Sequence, residues 1–267
     1  MLLALFHPGP SLATTAAAVA FGLLFGIRLG DPRLGLIAVT MLMSQLSISV
    51  MNEWADRERD LAALRPRPVA MGRVPARLAL WLAIVLGLAA VPGALAFGPS
   101  SLALVIFGIG LGWTYDLIMK PTSWSFVPFA IAFPLLAVWV GIISGRPIAT
   151  LLPLLLAAAP LAVAIHLADS IPDEAADAAA GTRTLAIGLG RSGAIRVMQA
   201  MLLLGSAVVV ASLLGRLLLS ALLALAAVLG TALAGITARK RPGQARWAVA
   251  VTALIAVVGW IVVHARE

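Results

Sequence analysis

The sequence predicts an all-α integral membrane protein with nine transmembrane helices. Three observations carry that reading. Apolar residues make up 62% of the 267, and the mean hydropathy is +1.06. Charged residues amount to 11%, where soluble domains hold about 25%. Eight stretches contain no Asp, Glu, Lys or Arg: 1–27, 34–52, 78–115, 121–145, 147–168, 197–215, 217–238 and 247–265. This composition argues against a soluble enzyme, a disordered chain and a nucleic-acid binder. A net charge of +8 in so apolar a chain reads as Lys and Arg acting as topology signals. The absence of Cys excludes disulfides, thiolate metal sites and cysteine nucleophiles.

A spanning helix needs about 20 mainly apolar residues at 1.5 Å rise each. The first stretch, 1–27, supplies helix one, and no basic segment within Met1–Leu12 marks it as a cleaved signal peptide. Helix two lies in 34–52. The stretch 78–115 is too long for one span and is interrupted by Phe97-Gly98-Pro99-Ser100-Ser101, a turn signal, so it reads as helices three and four in a hairpin. The remaining five stretches give one helix each. Runs this long and unalternating exclude a β-barrel, because a barrel strand alternates every second residue. The chain 1–267 reads as one membrane domain with polar loops at about 52–76, 115–125 and 169–192.

Eight loops then alternate between the two sides. Those after helices two, four, six and eight hold Arg57, Arg59, Arg65, Arg67, Arg73, Arg77, Lys120, Arg183, Arg191, Arg196, Arg239, Lys240, Arg241 and Arg246; the other side holds Arg28, Arg33, Arg146, Arg216 and Arg266. The positive-inside rule places the richer side, and the N-terminus, in the cytoplasm of a multi-pass cell (plasma) membrane protein. The carboxylates gather on the same side: Glu53, Asp56, Glu58 and Asp60, then Asp116, then Asp169, Asp173, Glu174 and Asp177. Topology does not require this, since acidic residues contribute little to orientation.

Their spacing points to a site. Asn52, Asp56 and Asp60 are four apart, as are Asp169, Asp173 and Asp177. Four residues advance a helix by one turn plus about 40°, so each trio lines one face if its helix continues past the apolar span. Like charges four apart destabilise a helix by about 0.2–0.5 kcal/mol per pair. Two such ladders call for a cation, and a hard ion such as Mg²⁺ takes one or two carboxylates together with phosphate oxygens and water. With no Cys and three His (His7, His166, His264), zinc is poorly supported. Arg67, Arg183 and Lys120 lie in Pro- or Gly-containing loops beside these acids. Arg offers bidentate donors to phosphate oxygens and Lys a point charge. Carboxylates for metal plus cations for oxygens is what a diphosphate needs. Arg73, Arg77, Arg191 and the Arg239–Arg241 run read instead as topology or lipid-headgroup charges.

On these motifs the sequence resembles the UbiA superfamily of intramembrane prenyltransferases. The family's NDxxDxxxD signature is similar to Asn52-Glu53-Trp54-Ala55-Asp56-Arg57-Glu58-Arg59-Asp60, with Glu53 in place of the usual Asp. Its RPxxxGR-like segment resembles Arg67–Arg73, its YxxxxK loop Tyr115–Lys120, and its DxxxDxxxD followed by GxxTL resembles Asp169–Asp177 and Gly181–Leu185. The resemblance spans the chain. It implies nine helices around a central cavity open to lipid. It also implies two Mg²⁺ ions bridging the diphosphate of a polyprenyl diphosphate to Asn52, Asp56 and Asp60 on one side and to Asp169, Asp173 and, as the extended motif, Asp177 on the other. Arg67 and Lys120 would bind diphosphate oxygens. Tyr115 would sit near the reacting carbon or a hydrophobic, commonly aromatic, acceptor, or serve as an interfacial anchor. Asp116 has three readings: it orients Lys120, deprotonates the acceptor or pairs with an Arg. The competing classes are a transporter, a non-catalytic isoprenoid-lipid binder, and a CDP-alcohol phosphotransferase, whose DxxDGxxAR signature does not occur in this sequence. Spans nearly free of charge, with the acids at one end, suit a one-sided site better than a transport path.

Overall fold

The computed structural model describes residues 5–179 and 181–264. Met1–Ala4 of the first stretch, Ala180 in the loop after the second acidic trio, and Arg266 lie outside them. The elements are α1 (Pro8–Leu24), α2 (Pro32–Ala55), α3 (Arg57–Ala62), α4 (Ala76–Ala96), α5 (Pro99–Thr114), α6 (Val127–Ile143), α7 (Leu152–Ser170), α8 (Glu174–Ala179), α9 (Leu185–Ser212), α10 (Leu217–Lys240) and α11 (Pro242–His264). A π-helical turn follows α5 at Tyr115–Met119, and 3₁₀ turns flank α7 at Ile148–Leu151 and Ile171–Asp173. No strand occurs among the described residues. Among the described residues seven segments are long and apolar enough to cross a membrane: α2, α4, α5 with its π turn, the segment Ile148–Asp173, α9, α10, and Pro242–Ile261 of α11. α1 and α6 are apolar but shorter, 17 residues each, and lie in the first and fifth of the expected positions.

Local chemistry sets the breaks. α4 stops at Ala96, Gly98 takes φ 94°, and Pro99 opens α5, as the turn signal predicts. Glycine reaches that backbone region without the Cβ clash other residues meet, and proline suits the first helical turn because its missing N–H is not needed there. Asp31 caps α2, accepting from the Arg33 N–H at 2.9 Å. The Arg33 guanidinium also donates to it and holds its carboxyl below the usual carboxylate range.

The chain forms two compact units. The first comprises Met1–Ile118 and Trp139–Arg146. Here α2 packs along α4 and against α1 and α5. In lipid the attraction between helices comes from close van der Waals packing and internal hydrogen bonds, which favours small residues. Gly112 lies against Ile48 and Gly87 against Ser47. The Ser47 hydroxyl donates to the Ala83 carbonyl at 2.8 Å. The Trp139 indole N–H donates to the fully buried Ser101 hydroxyl, also at 2.8 Å. Trp139→Phe leaves that hydroxyl without its donor, and an expected loss of about 1–2 kcal/mol should appear in unfolding of the detergent-solubilised protein.

The second unit comprises Met119–Val138 and Pro147–Glu267. Its core joins Leu161, Leu167 and Ile171 to Ile195, Met198 and Leu202, closed by Ala234, Ala238 and Val249. α7 and α9 approach closely at Gly205: a Cβ there would stand 2.6 Å from Leu161 Cγ and 2.8 Å from the Ala157 carbonyl oxygen. α9 begins at Leu185, capped by Thr184, and breaks its helical geometry at Gly190 (φ 64°, ψ 158°).

Candidate active site

In the first unit the acidic ladder lies at the end of α2. Asp56 occupies the junction to α3, yet its N–H still bonds to the Asn52 carbonyl at 2.9 Å, and the Asp60 N–H to the Asp56 carbonyl at 2.8 Å. The one-turn spacing expected from sequence therefore persists. All three carboxylates here are buried: Glu53 is 1% exposed, Asp60 4% and Asp56 6%. Burial of charge at this density requires partners. Arg59 pairs with Asp56 at 3.1 Å and Arg65 with Asp60 at 3.4 Å. Just past the end of α3, Leu64 takes a φ of 52° and turns the chain into the loop carrying Arg67.

The π turn places Asp116 beside this ladder, buried, accepting from the Asn52 side-chain amide at 2.7 Å. A carboxylate only accepts, so Asn52 must present its Nδ2 to Asp116, which leaves its Oδ1 as the acceptor atom of that side chain. This is a role for Asp116 that none of its sequence readings contained. Single π turns occur frequently at functional sites, because the extra residue re-aims side chains. Tyr115, on the same turn, is half-buried.

Sequence reasoning also missed His7. Its Nε2 lies 2.8 Å from Glu53 Oε1, and Arg67 Nη1 reaches the same oxygen at 3.3 Å and His7 Nε2 at 3.4 Å. The shorter contact sets the tautomer: Nε2–H donates to the carboxylate. Glu53 Oε2 is buried with no hydrogen-bond partner among the described residues. Glu53 thus anchors Arg67 and the segment ahead of α1. No local signal could reveal a pairing across 46 positions. His7→Ala removes one of the two groups on Glu53 Oε1 and is expected to destabilise by about 1–2 kcal/mol, measured by chemical unfolding in detergent.

In the second unit the acids are more open. Asp169 ends α7 with its side chain 49% exposed and lies 3.9 Å from Arg246. Asp173 is exposed in the 3₁₀ turn, and Asp177 is half-buried in α8. A 3₁₀ turn advances about 120° per residue against about 100° in an α-helix, which rotates this trio away from an ideal ladder. The Gly181–Leu185 motif has a structural use. Gly181 turns at φ 74°, Thr182 Oγ1 donates to the Asp177 carbonyl at 2.8 Å, and Thr184 Oγ1 accepts from the Ile187 N–H at 3.4 Å to start α9. The Arg183 N–H donates to the Pro121 carbonyl at 3.0 Å, and the Ser123 hydroxyl to the Arg183 carbonyl at 3.1 Å. The backbone of exposed Arg183 is thereby joined to the loop bearing Lys120. His166 is occupied by Ser125 Oγ at 3.0 Å and the Phe129 ring.

The donor set is all oxygen. His7 and His166 are engaged elsewhere, so the residues fit a hard cation better than zinc. Among the described residues no three His, Asp or Glu side chains stand together as a ready cage. An ion that keeps waters and shares substrate oxygens does not require one.

Comparisons with known proteins bear on the family and the fold. A profile of the UbiA prenyltransferase family matches residues 10–258. The bacteriochlorophyll synthase 33 kDa chain of Cereibacter sphaeroides is 25% identical over 118 residues, which is 43% of this chain and 39% of that protein, so well under half of that relative is matched. The fold is similar to the apo structure of a UbiA homologue from Aeropyrum pernix K1 (TM-score 0.75, 18% identity, covering 94% of this chain and 97% of that one). It is also similar to a UbiA homologue from Archaeoglobus fulgidus bound to DMAPP and Mg²⁺ (TM-score 0.74, 16% identity, covering 98% and 99%).

Proposed function

Because the chain belongs to the UbiA prenyltransferase family, we propose that it transfers a prenyl group from a polyprenyl diphosphate to a hydrophobic, aromatic acceptor within the bilayer. It is a multi-pass membrane protein. The observation that carries the proposal is the cluster of buried oxygen donors at the end of an otherwise charge-free span, each carboxylate partnered by a cation. That a homologue of the same fold binds DMAPP and Mg²⁺ supports it. We further propose that the two units act as one catalytic domain, with the motif loops on the cytoplasmic face of the cell membrane.

In the reaction the C1–O bond of the allylic diphosphate breaks and its electron pair leaves with the diphosphate. The acceptor ring then bonds to C1 and gives up a proton. Two Mg²⁺, one at Asn52, Asp56 and Asp60 and one at Asp169, Asp173 and Asp177, would supply Lewis-acid neutralisation of the departing charge. The chain's own residues do the rest. Arg67, Lys120 and Arg183 bind diphosphate oxygens as fixed positive charges, which stabilise the leaving group more than the bound substrate. Asp116 holds the Asn52 amide so that its oxygen is available. Tyr115 lies near C1, where its ring face tolerates the developing positive charge. The charge-free spans provide an apolar medium for the prenyl tail, and a dry site protects the cation from water.

The test incubates the purified full chain with Mg²⁺, radiolabelled prenyl diphosphates of graded length and a panel of aromatic acceptors. A chlorophyll-type ring belongs in the panel, given the name of the Cereibacter relative. Labelled lipid product with released diphosphate is the expected result. Failure to bind any prenyl diphosphate in the presence of Mg²⁺ would overturn the assignment.

A further inference from the structure

We infer that a second anion site, separate from the residues assigned above, binds a phosphate-bearing group between the start of α9 and the end of α10. A pocket of about 250 Å³ there is lined by Arg191, Ser192, Ile195, Arg196 and Arg239. The topology brings the three arginines together: Gly190 breaks α9 immediately before Arg191, and α10 returns to this end of the unit after crossing back, bringing Arg239 in its last turn.

Among the described residues the three guanidiniums have no acid to balance them. Arg191 Nη2 donates to the Ala238 carbonyl at 3.2 Å, a backbone oxygen that fixes the side chain and leaves its charge unneutralised. Among the described residues, no carboxylate lies within ion-pair distance of Arg191, Arg196 or Arg239, and the acid of α7 in this unit, Asp169, pairs with Arg246. By contrast Arg59, Arg65 and Arg67 at the acidic ladder each meet a carboxylate. Three like charges around one concavity repel each other, and an anion placed among them relieves that repulsion while gaining charge-assisted hydrogen bonds.

The residue types define the ligand. Guanidinium forks match tetrahedral phosphate oxygens in pairs, the Ser192 hydroxyl adds a donor, and Ile195 gives one apolar wall. That set takes a phosphate mono- or diester, with room for the first atoms attached to it. Two sources carry this chemistry: the headgroup of an anionic phospholipid at the ends of the apolar spans, and free phosphate from the aqueous side.

The experiment compares the full chain with the Arg196→Gln/Arg239→Gln variant, which spares Arg191 and every residue assigned to prenyl transfer. One arm places both proteins in phosphatidylcholine nanodiscs with increasing phosphatidylglycerol and counts retained lipid by native mass spectrometry. The other titrates inorganic phosphate against chloride at equal ionic strength in detergent and follows the unfolding midpoint. The expected result is about a tenfold weaker preference for the phosphate ligand in the variant, the change that follows from losing about 1.4 kcal/mol of binding. Discrimination in the lipid arm assigns the pocket to a headgroup, and discrimination in the phosphate arm alone assigns it to a soluble anion. Equal responses of both proteins in both arms would refute the site. Should the double variant not fold, Arg196→Gln alone is read the same way, with an expected change of a few-fold.

Discussion

Asp173→Ala is expected to lower prenyl transfer by about a hundred- to a thousandfold while leaving the protein folded. Asp173 is exposed in the 3₁₀ turn after α7, and its side chain has no hydrogen bond among the described residues. Exposed substitutions of this kind change stability by about 0.5 kcal/mol or less. Removing one preorganised electrostatic contact to a developing charge costs about 10²–10³ in rate, or about 3–4 kcal/mol of barrier. The measurement is turnover of radiolabelled prenyl diphosphate across a Mg²⁺ titration. Excess Mg²⁺ should not restore the lost rate, and undiminished turnover would remove Asp173 from the metal assignment. Asp56→Ala is expected to reach a similar loss with an added folding cost, because it strips Arg59 of its buried partner. The pair of variants thus separates catalytic from structural losses: Asp173 reports the first alone, Asp56 both.

The second large effect concerns stability. Gly205→Val is expected to cost about 3 kcal/mol, at the upper end for overpacking. Its new carbons would meet Leu161 Cγ and the backbone oxygen of Ala157, and a backbone atom cannot swing aside as a side-chain tip can. Gly108→Ala in α5 is the matched control. Nothing lies within 4 Å of a Cβ there, so it should gain about 0.5–1 kcal/mol from the reduced freedom of the unfolded chain. Unfolding in mixed detergent micelles, followed by circular dichroism, measures both.

Much of the fold was legible because charge is expensive in hydrocarbon. The charge-free stretches locate each long helix, and Phe97–Ser101 marks the α4–α5 turn. The same rule misjudges where helices begin and end. It starts the seventh span at 197, whereas α9 starts at Leu185 and carries Arg191 and Arg196 on its first turns. It starts the last span at 247, whereas α11 runs from Pro242 through Arg246. Long basic side chains extend from helix ends to the headgroups, so a helical backbone does not stop where charge begins.

The site was legible in composition and opaque in partnership. Spacing alone identified the two acidic trios, since one-turn repetition of acids is costly without a reason. It did not reveal that the two aspartates of the first trio are buried and matched to Arg59 and Arg65 while those of the second are more open. Nor did it reveal that Asp116 bonds to Asn52, or that His7 and Arg67 share Glu53. Those contacts join residues 14 to 64 positions apart in chains of packing that have no periodic trace. The Gly181–Leu185 motif shows the converse. Its glycine and Thr184 serve the turn and the cap of α9, so part of a recognisable signature reflects folding more than chemistry.

The lengths of α1 and α6 bear on the host membrane. Seventeen residues rise about 26 Å, short of the about 30 Å of a typical hydrocarbon core. A helix of that length that crosses the bilayer is accommodated by local thinning of the lipid around it or by reach of its flanking residues, at a fraction of a kcal/mol for every ångström of shortfall. Acyl-chain length is therefore a physical variable of this protein. Bilayers of shorter-chain phospholipid match these two helices with less deformation, and thicker, sterol-rich ones with more.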